Sequence, residues 1–272
     1  MPEGPEIRLA ADRIAKVLEG EVLEAVEFAF PRLKPFEKQL EGQVVNRVDT
    51  RGKAMLTRFE GGLTLYSHNQ LYGRWFTTRR GELPRTKRSL RVALHTAKRS
   101  ALLYSASDVD VLDADGLAAH PFLNRLGPDL LDPALEARAL AERLRSDRFR
   151  RRSLASLLLD QSFLAGLGNY LRSEILFCAG LDPRRRPQDL DADAVLGLAE
   201  QALELGWRSY RTRGVTLDEV HREGPERVSR SGRRKRFWVF ARAGQGCYRC
   251  GTPVLKEVRG SRRLYRCPAC QR

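Results

Sequence analysis

The chain has 272 residues, 42% of them hydrophobic, enough to build the packed cores of one large globular domain or two ordinary ones. Forty-nine Lys and Arg against 34 Asp and Glu give a formal charge of +15 and a pI near 10.1, so a polyanionic partner is expected, with nucleic acid the first candidate. A membrane partner is disfavoured: no apolar run reaches the roughly 18 residues of a spanning helix, acids stand where a signal peptide has its basic and apolar regions, and a soluble cytoplasmic protein is expected.

The chain opens "MPEGPEIR". Apolar residues at Ile7, Ala10, Ala11, Ile14, Val17 and Leu18 follow helical spacing, Pro5 suits the first turn, and Gly20 ends the helix. If Met1 is removed, Pro2 presents a secondary amine just before the positive end of that helix. The helix end disfavours an ammonium and lowers the amine pKa from its usual value of about 8. Such an amine attacks carbonyl-like carbons and can form only the charged iminium, with Glu3 or Glu6 as a general acid or base beside it. Simple helix capping by these acids is the alternative.

Strand-like runs follow: "VEFAF", "QVVNRVD", "AMLTRF", "LTLYSH", "LRVALHT" and "SALLYSA", short, rich in β-branched or aromatic residues and separated by turn signals. They predict an antiparallel β-sandwich or barrel. After "GPDLLDP" the pattern turns helical, in "ALEARALAERLRS", "RRSLASLLLDQ", "YLRSEILFCAGL" and "DADAVLGLAEQALELGW". The fold class expected is therefore multidomain α+β. Between two of the helices, "FLAGLGNYLRSEI" has Gly166 and Gly168 to permit a tight turn and Asn169 to cap the next helix, whose exposed N–H groups would bind a phosphate beside Arg172. Ordinary bundle architecture is the competing explanation.

The run "RVSRSGRRKR", residues 227–236, is basic at six of its ten positions. It reads as a self-repelling segment that stays disordered in the free protein, and either links two modules or tracks DNA phosphates. Four of the five cysteines then fall as Cys247-x2-Cys250 and Cys267-x2-Cys270, sixteen residues apart. Two such turns supply the four thiolates of a tetrahedral Zn2+ site, whereas disulfides are improbable in a reducing cytosol. The residues between them predict a β-hairpin with Arg262 and Arg263 at its tip. Cys178, in an apolar helical run, reads as an inert core thiol.

Taken together, "PEGPEIRLAADRI", "TRGKAMLT", "LYSHNQLYGRW", "AGLGNYLRSEILF" and the terminal cysteine quartet resemble the formamidopyrimidine-DNA glycosylase and endonuclease VIII family over essentially the whole chain. The resemblance implies an N-terminal catalytic β-sandwich domain (1–126), a linker (127–133), a helix-two-turn-helix domain with a basic loop (134–236) and a zinc-finger hairpin (237–272). It implies a monomer acting on damaged double-stranded DNA, with one structural zinc. It also implies that Pro2 attacks C1′ of the damaged nucleotide, Glu3 donates a proton to the sugar ring, and Lys53 assists at the 3′ phosphate or base. Asn169 and Arg262 would grip the flanking phosphates, and Glu6 and Arg172 would lie at the DNA surface.

An everted base leaves a hole costing a few kcal/mol of stacking and pairing, which "NQLY" suits: Gln70 offers an amide to the orphan base, Leu71 a wedge and Tyr72 a plate. The 8-oxoguanine enzymes of the family carry a methionine-containing loop at this place, so this loop resembles the oxidised-pyrimidine branch. An oxidised-purine glycosylase and a non-catalytic zinc-dependent DNA-binding protein are the alternatives.

Overall fold

The structure, a computed structural model, describes residues 2–223, 235–259 and 261–272. The chain divides into two compact units, Met1–Arg125 and Leu126–Arg272. Most of the basic run, and Gly260 of the expected hairpin turn, lie outside the described residues.

The first unit begins with helix α1, Gly4–Leu18. Glu3 is its N-cap in a capping box with Glu6, and Ile7, Ala11, Ile14, Val17 and Leu18 form its buried stripe. Short strand β1 (Ala25–Phe28) and helix α2 (Pro35–Leu40) follow. The remaining strands are β2 (Val45–Arg51), β3 (Ala54–Phe59), β4 (Thr64–His68), β5 (Arg74–Arg79), β6 (Leu90–His95), β7 (Arg99–Tyr104) and β8 (Asp108–Leu112), and helix α3 (Ala114–Ala119) comes last. They make two four-stranded antiparallel sheets, ordered β1-β6-β7-β5 and β2-β3-β4-β8. Alternate residues of both sheets, among them Phe28, Met55, Phe59, Val92, Leu103 and Val109, join the α1 stripe in one core.

Two strands were not predicted, and both are edge strands. Only Trp75 of β5 is buried, so its sequence shows no alternation. In β8, Asp108 and Asp110 read as turn residues, yet Val109 and Val111 enter the core between them.

The second unit contains α4 (Ala137–Arg145), α5 (Leu154–Leu157), α6 (Asn169–Cys178), α7 (Ala192–Arg211), α8 (Glu219–Glu223) and a hairpin of β9 (Leu255–Arg259) and β10 (Arg262–Arg266). The long helix expected in "RRSLASLLLDQ" is a single turn, α5, whose Leu154 and Ala155 N–H groups bond instead to the carbonyls of Arg185 and Pro183. Leu264 of the hairpin shares a core with Leu171, Ile175, Leu198 and Leu205 of α6 and α7, so the hairpin and the helices are packed as one body.

Glu174 ties the segment before the cysteines to α6. Its fully buried carboxylate accepts the N–H groups of Trp238 (2.7 Å), Val239 (2.9 Å) and Phe240 (2.8 Å), and the Thr216 hydroxyl donates to it as well. Removing this acceptor strands several donors, each costing about 1–3 kcal/mol when buried without a partner. Glu174→Ala should therefore lower the urea unfolding free energy by at least about 3 kcal/mol. A change below about 1 kcal/mol would show that the clamp is replaceable.

Candidate active site and nucleic-acid interface

In the first unit, Pro2, Ile7, Lys53, His68, Asn69 and Gln70 line a small cleft at the start of α1. The cap geometry builds it. The Glu3 N–H donates to Glu6 Oε2 at 2.9 Å, and Glu3 itself is 2% exposed, so the carboxylate next to Pro2 in the chain is buried and held by the capping box. Glu6, expected at the DNA surface, is engaged as the strut of that cap, because its carboxylate satisfies an N–H that the helix leaves unpaired. Lys53 follows the Gly52 turn between β2 and β3 and is buried.

His68 and Asn69 were not singled out from the sequence; a histidine closing a strand ahead of a turn was the available signal. Burial pushes the His68 imidazole below its ordinary pKa, and the Lys53 charge adds to the effect against the opposing pull of Asp108, whose carboxylate lies 4.0 Å from Nδ1. The ring is therefore favoured in its neutral form by burial. It packs 5.1 Å from Phe122.

The "NQLY" segment forms a tight turn between β4 and β5. The Gly73 N–H donates to the Asn69 carbonyl at 2.7 Å, and a Cβ on Gly73 would lie 2.6 Å from that oxygen, so only glycine closes the turn. Gln70 sits at the positive φ of 48°, with its Oε1 accepting the Ser107 hydroxyl at 2.8 Å. Leu71 and Tyr72 are 58% and 68% exposed, large apolar side chains held at the surface by the turn. Arg88 braces the turn by donating to the Tyr72 carbonyl.

In the second unit, the "AGLGN" turn runs through Gly166 at φ 101° into α6. The N-cap is Gly168, not Asn169 as expected, and Asn169 is the first helical residue, its Oδ1 accepting from Arg172 at 2.7 Å. The expectation that Arg172 meets phosphate is also corrected. It is 1% exposed, and its guanidinium donates to the Ala155 carbonyl (3.1 Å) and the Arg263 carbonyl (3.0 Å), bracing the turn against the hairpin. A planar fork with five donors suits that three-way link where a lysine would not. Arg262, at the exposed start of β10 opposite Arg259, lines a groove of about 540 Å³ together with Ser153, Ser156 and the edge of Arg172.

The Sγ atoms of Cys247, Cys250, Cys267 and Cys270 lie within 4.8 Å of one another, with 3.9 Å between Cys247 and Cys270 and 3.5 Å between Cys250 and Cys267. Four thiolates around a tetrahedral ion with metal–sulfur bonds of about 2.3 Å stand about 3.8 Å apart, so the quartet fits a single metal ion. Burial pushes the Cys178 thiol up to about 12, which agrees with an inert core residue. At the end of the basic run, Lys235 sits 4.7 Å from the Tyr248 ring, and Arg236 donates to the Gly214 carbonyl at 2.9 Å. Among the described residues, no helix is long and apolar enough to cross a membrane.

Residues 1–107 match the formamidopyrimidine-DNA glycosylase N-terminal domain, and residues 126–216 match the formamidopyrimidine-DNA glycosylase H2TH domain. Similar proteins include "Endonuclease 8" of Escherichia coli (strain K12 / DH10B), 52% identical over 271 residues, and "Endonuclease 8" of Klebsiella pneumoniae subsp. pneumoniae, 51% identical over 271 residues; both alignments cover 100% of each chain. The fold matches Lactococcus lactis formamidopyrimidine DNA glycosylase bound to DNA containing an AP site, at TM-score 0.80 and 20% identity over 99% of each chain. It also matches MutM in complex with DNA containing carbocyclic 8-oxo-G, at TM-score 0.80 and 20% identity over 100% of each chain. Full-length identity at this level, both domain matches in order and the shared fold lead to one conclusion: the chain belongs to the formamidopyrimidine-DNA glycosylase and endonuclease 8 family, DNA glycosylases and AP lyases of base excision repair.

Proposed function

We propose that this DNA glycosylase and AP lyase removes oxidised pyrimidines from damaged double-stranded DNA in the cytoplasm, as a monomer, through a Schiff base on Pro2. The observation that carries the reading is the cleft lined by both Pro2 and Lys53 at the N-terminus of α1, next to a buried Glu3. Helix geometry and the neighbouring cation both favour the free amine of Pro2 once Met1 is gone.

In the first step the Pro2 nitrogen attacks C1′ and the C1′–N glycosidic bond breaks. The departing base takes up a proton. Glu3 protonates the ring oxygen as the sugar opens, and loss of the proton on nitrogen yields the C1′ iminium. The iminium acidifies C2′–H, whose removal expels the 3′ phosphate by β elimination, and loss of C4′–H then expels the 5′ phosphate by δ elimination. Lys53 offers its charge at the 3′ phosphate or the leaving base. Asn169 and Arg262 hold flanking phosphates, while Gln70, Leu71 and Tyr72 occupy the space left by the everted nucleotide. The cysteine quartet would hold one structural Zn2+ that keeps the hairpin folded.

A panel of duplexes carrying thymine glycol, dihydrouracil, 5-hydroxycytosine, 8-oxoguanine or formamidopyrimidine tests the lesion class. The pyrimidine lesions should be cut with at least about tenfold higher kcat/KM. The exposed Leu71 and Tyr72 favour this reading over the oxidised-purine alternative, and preferential cutting of 8-oxoguanine would reverse it. Glu3→Gln separates the two steps: base release should fall by about 10²- to 10⁴-fold, while nicking of a ready-made abasic site persists. Equal loss of both activities would assign Glu3 to the lyase step as well.

A further inference from the structure

A second basic cavity of about 590 Å³ opens beside the groove of Arg262, and Arg184 lines both. Its wall is the loop after α6, where Arg184, Arg185 and Arg186 follow one another, together with Arg266 and Arg272 from the cysteine segment. Three acids pair with three of these five arginines, Glu257 with Arg266 and the two aspartates of the loop with its own Arg184 and Arg186. Asp182 holds Arg184 in a two-pronged ion pair at 2.9 and 2.7 Å, and Asp189 holds Arg186 in the same way at 2.8 and 3.1 Å. Among the described residues, neither Arg185 nor Arg272 has a carboxylate side chain within ion-pair distance.

The loop is held firmly. The Leu154 N–H donates to the Arg185 carbonyl at 2.8 Å, the Ala155 N–H to the Pro183 carbonyl at 2.9 Å, and the Asp182 N–H to the Arg272 carbonyl at 3.0 Å. A concave surface on a held backbone, with five arginines against three acids, suits anionic oxygens. Arg184 borders both cavities, so the two basic surfaces adjoin.

We propose that this second cavity is a further binding site for the phosphate backbone of duplex DNA, extending the contact beyond the phosphates held beside the lesion. The proposal rests on the function given above, and its ligand is the DNA phosphodiester. An Asp- or Glu-rich protein segment is the competing occupant.

The test uses the full zinc-loaded chain with Arg185→Ser, Arg272→Ser and the double variant, after thermal melting and zinc content have established that each is folded. Affinity for a 30-base-pair duplex, damaged and undamaged, is measured by anisotropy over a range of salt. Each arginine that neutralises a phosphate should contribute about 0.9 to the log–log salt slope, so the double variant should be shallower by about 1.8. Shortening the duplex from one end should bring the wild-type affinity down to that of the double variant, and shortening from the other end should not. An unchanged slope in the double variant overturns the proposal. So does an affinity loss confined to a poly-glutamate probe, which would assign the cavity to an acidic protein. Failure of the unmodified protein to be trapped on abasic DNA would instead sink the catalytic reading, so the two failures are distinguishable.

Discussion

Pro2→Gly should reduce borohydride-trapped protein on abasic DNA by at least about 10²-fold in rate, and protein that retains Met1 should not be trapped at all. The two variants fail for different reasons. Glycine still offers a primary amine, but one that is more flexible and forms a neutral imine after losing a proton, a weaker electron sink than the obligatory iminium of proline. With Met1 present the Pro2 nitrogen is an amide with no available lone pair. Neither change reaches the core, because the helix cap is made by Glu3 and Glu6 and the buried stripe begins at Ile7. Melting temperature should therefore be unchanged, and intact mass identifies the processed form. Complete base excision by Met1-retaining protein would remove Pro2 from the mechanism.

Cys267→Ser should lose its metal, measured by inductively coupled plasma emission against an expected one zinc per wild-type chain, and should lose DNA binding along with it. Structural zinc contributes about 10–16 kcal/mol of apparent binding free energy in small zinc modules, far more than the hairpin can replace. The damage should spread. Cys267 and Cys247 are buried in a cluster with Trp238, Val254 and Tyr265, and Leu264 next to that cluster belongs to the helical core. Loss of the hairpin also removes the Arg263 carbonyl that receives Arg172. Arg262→Ala is the contrasting variant: full zinc content, unchanged melting, and a salt slope shallower by about 0.9 with weaker binding. If that variant binds and cuts normally, the hairpin tip does not touch the DNA.

The amino-acid sequence by itself determined the features whose information is local. The α1 helix follows from a capping pair three residues apart and a 3.6-residue apolar period, and the metal quartet from two Cys-x2-Cys turns, because a tight turn sets the distance between its own two thiols. The tight turn at Gly166 was likewise legible, since it needs a positive φ, whereas the closure at Gly73 appeared only in the structure. Tertiary structure alone decided what depends on partners distant along the chain. Arg172 has the sequence environment of a surface phosphate ligand, yet it is a brace because the Arg263 carbonyl, 91 positions away, reaches its guanidinium. Glu174 looks like an ordinary helical acid until Trp238, Val239 and Phe240 turn their N–H groups on it from 64 to 66 positions downstream. His68 takes its lowered pKa from burial and from Lys53, which joins it only when β3 pairs with β4. The loop of Arg184 to Arg186, not singled out from the sequence, becomes the wall of a cavity by packing against α5 and Arg272. In each of these cases what decides is what distant parts of the chain place around the group, buried partners for Arg172 and Glu174, desolvation for His68 and a packed backbone for the arginine loop, and no window of the sequence contains that.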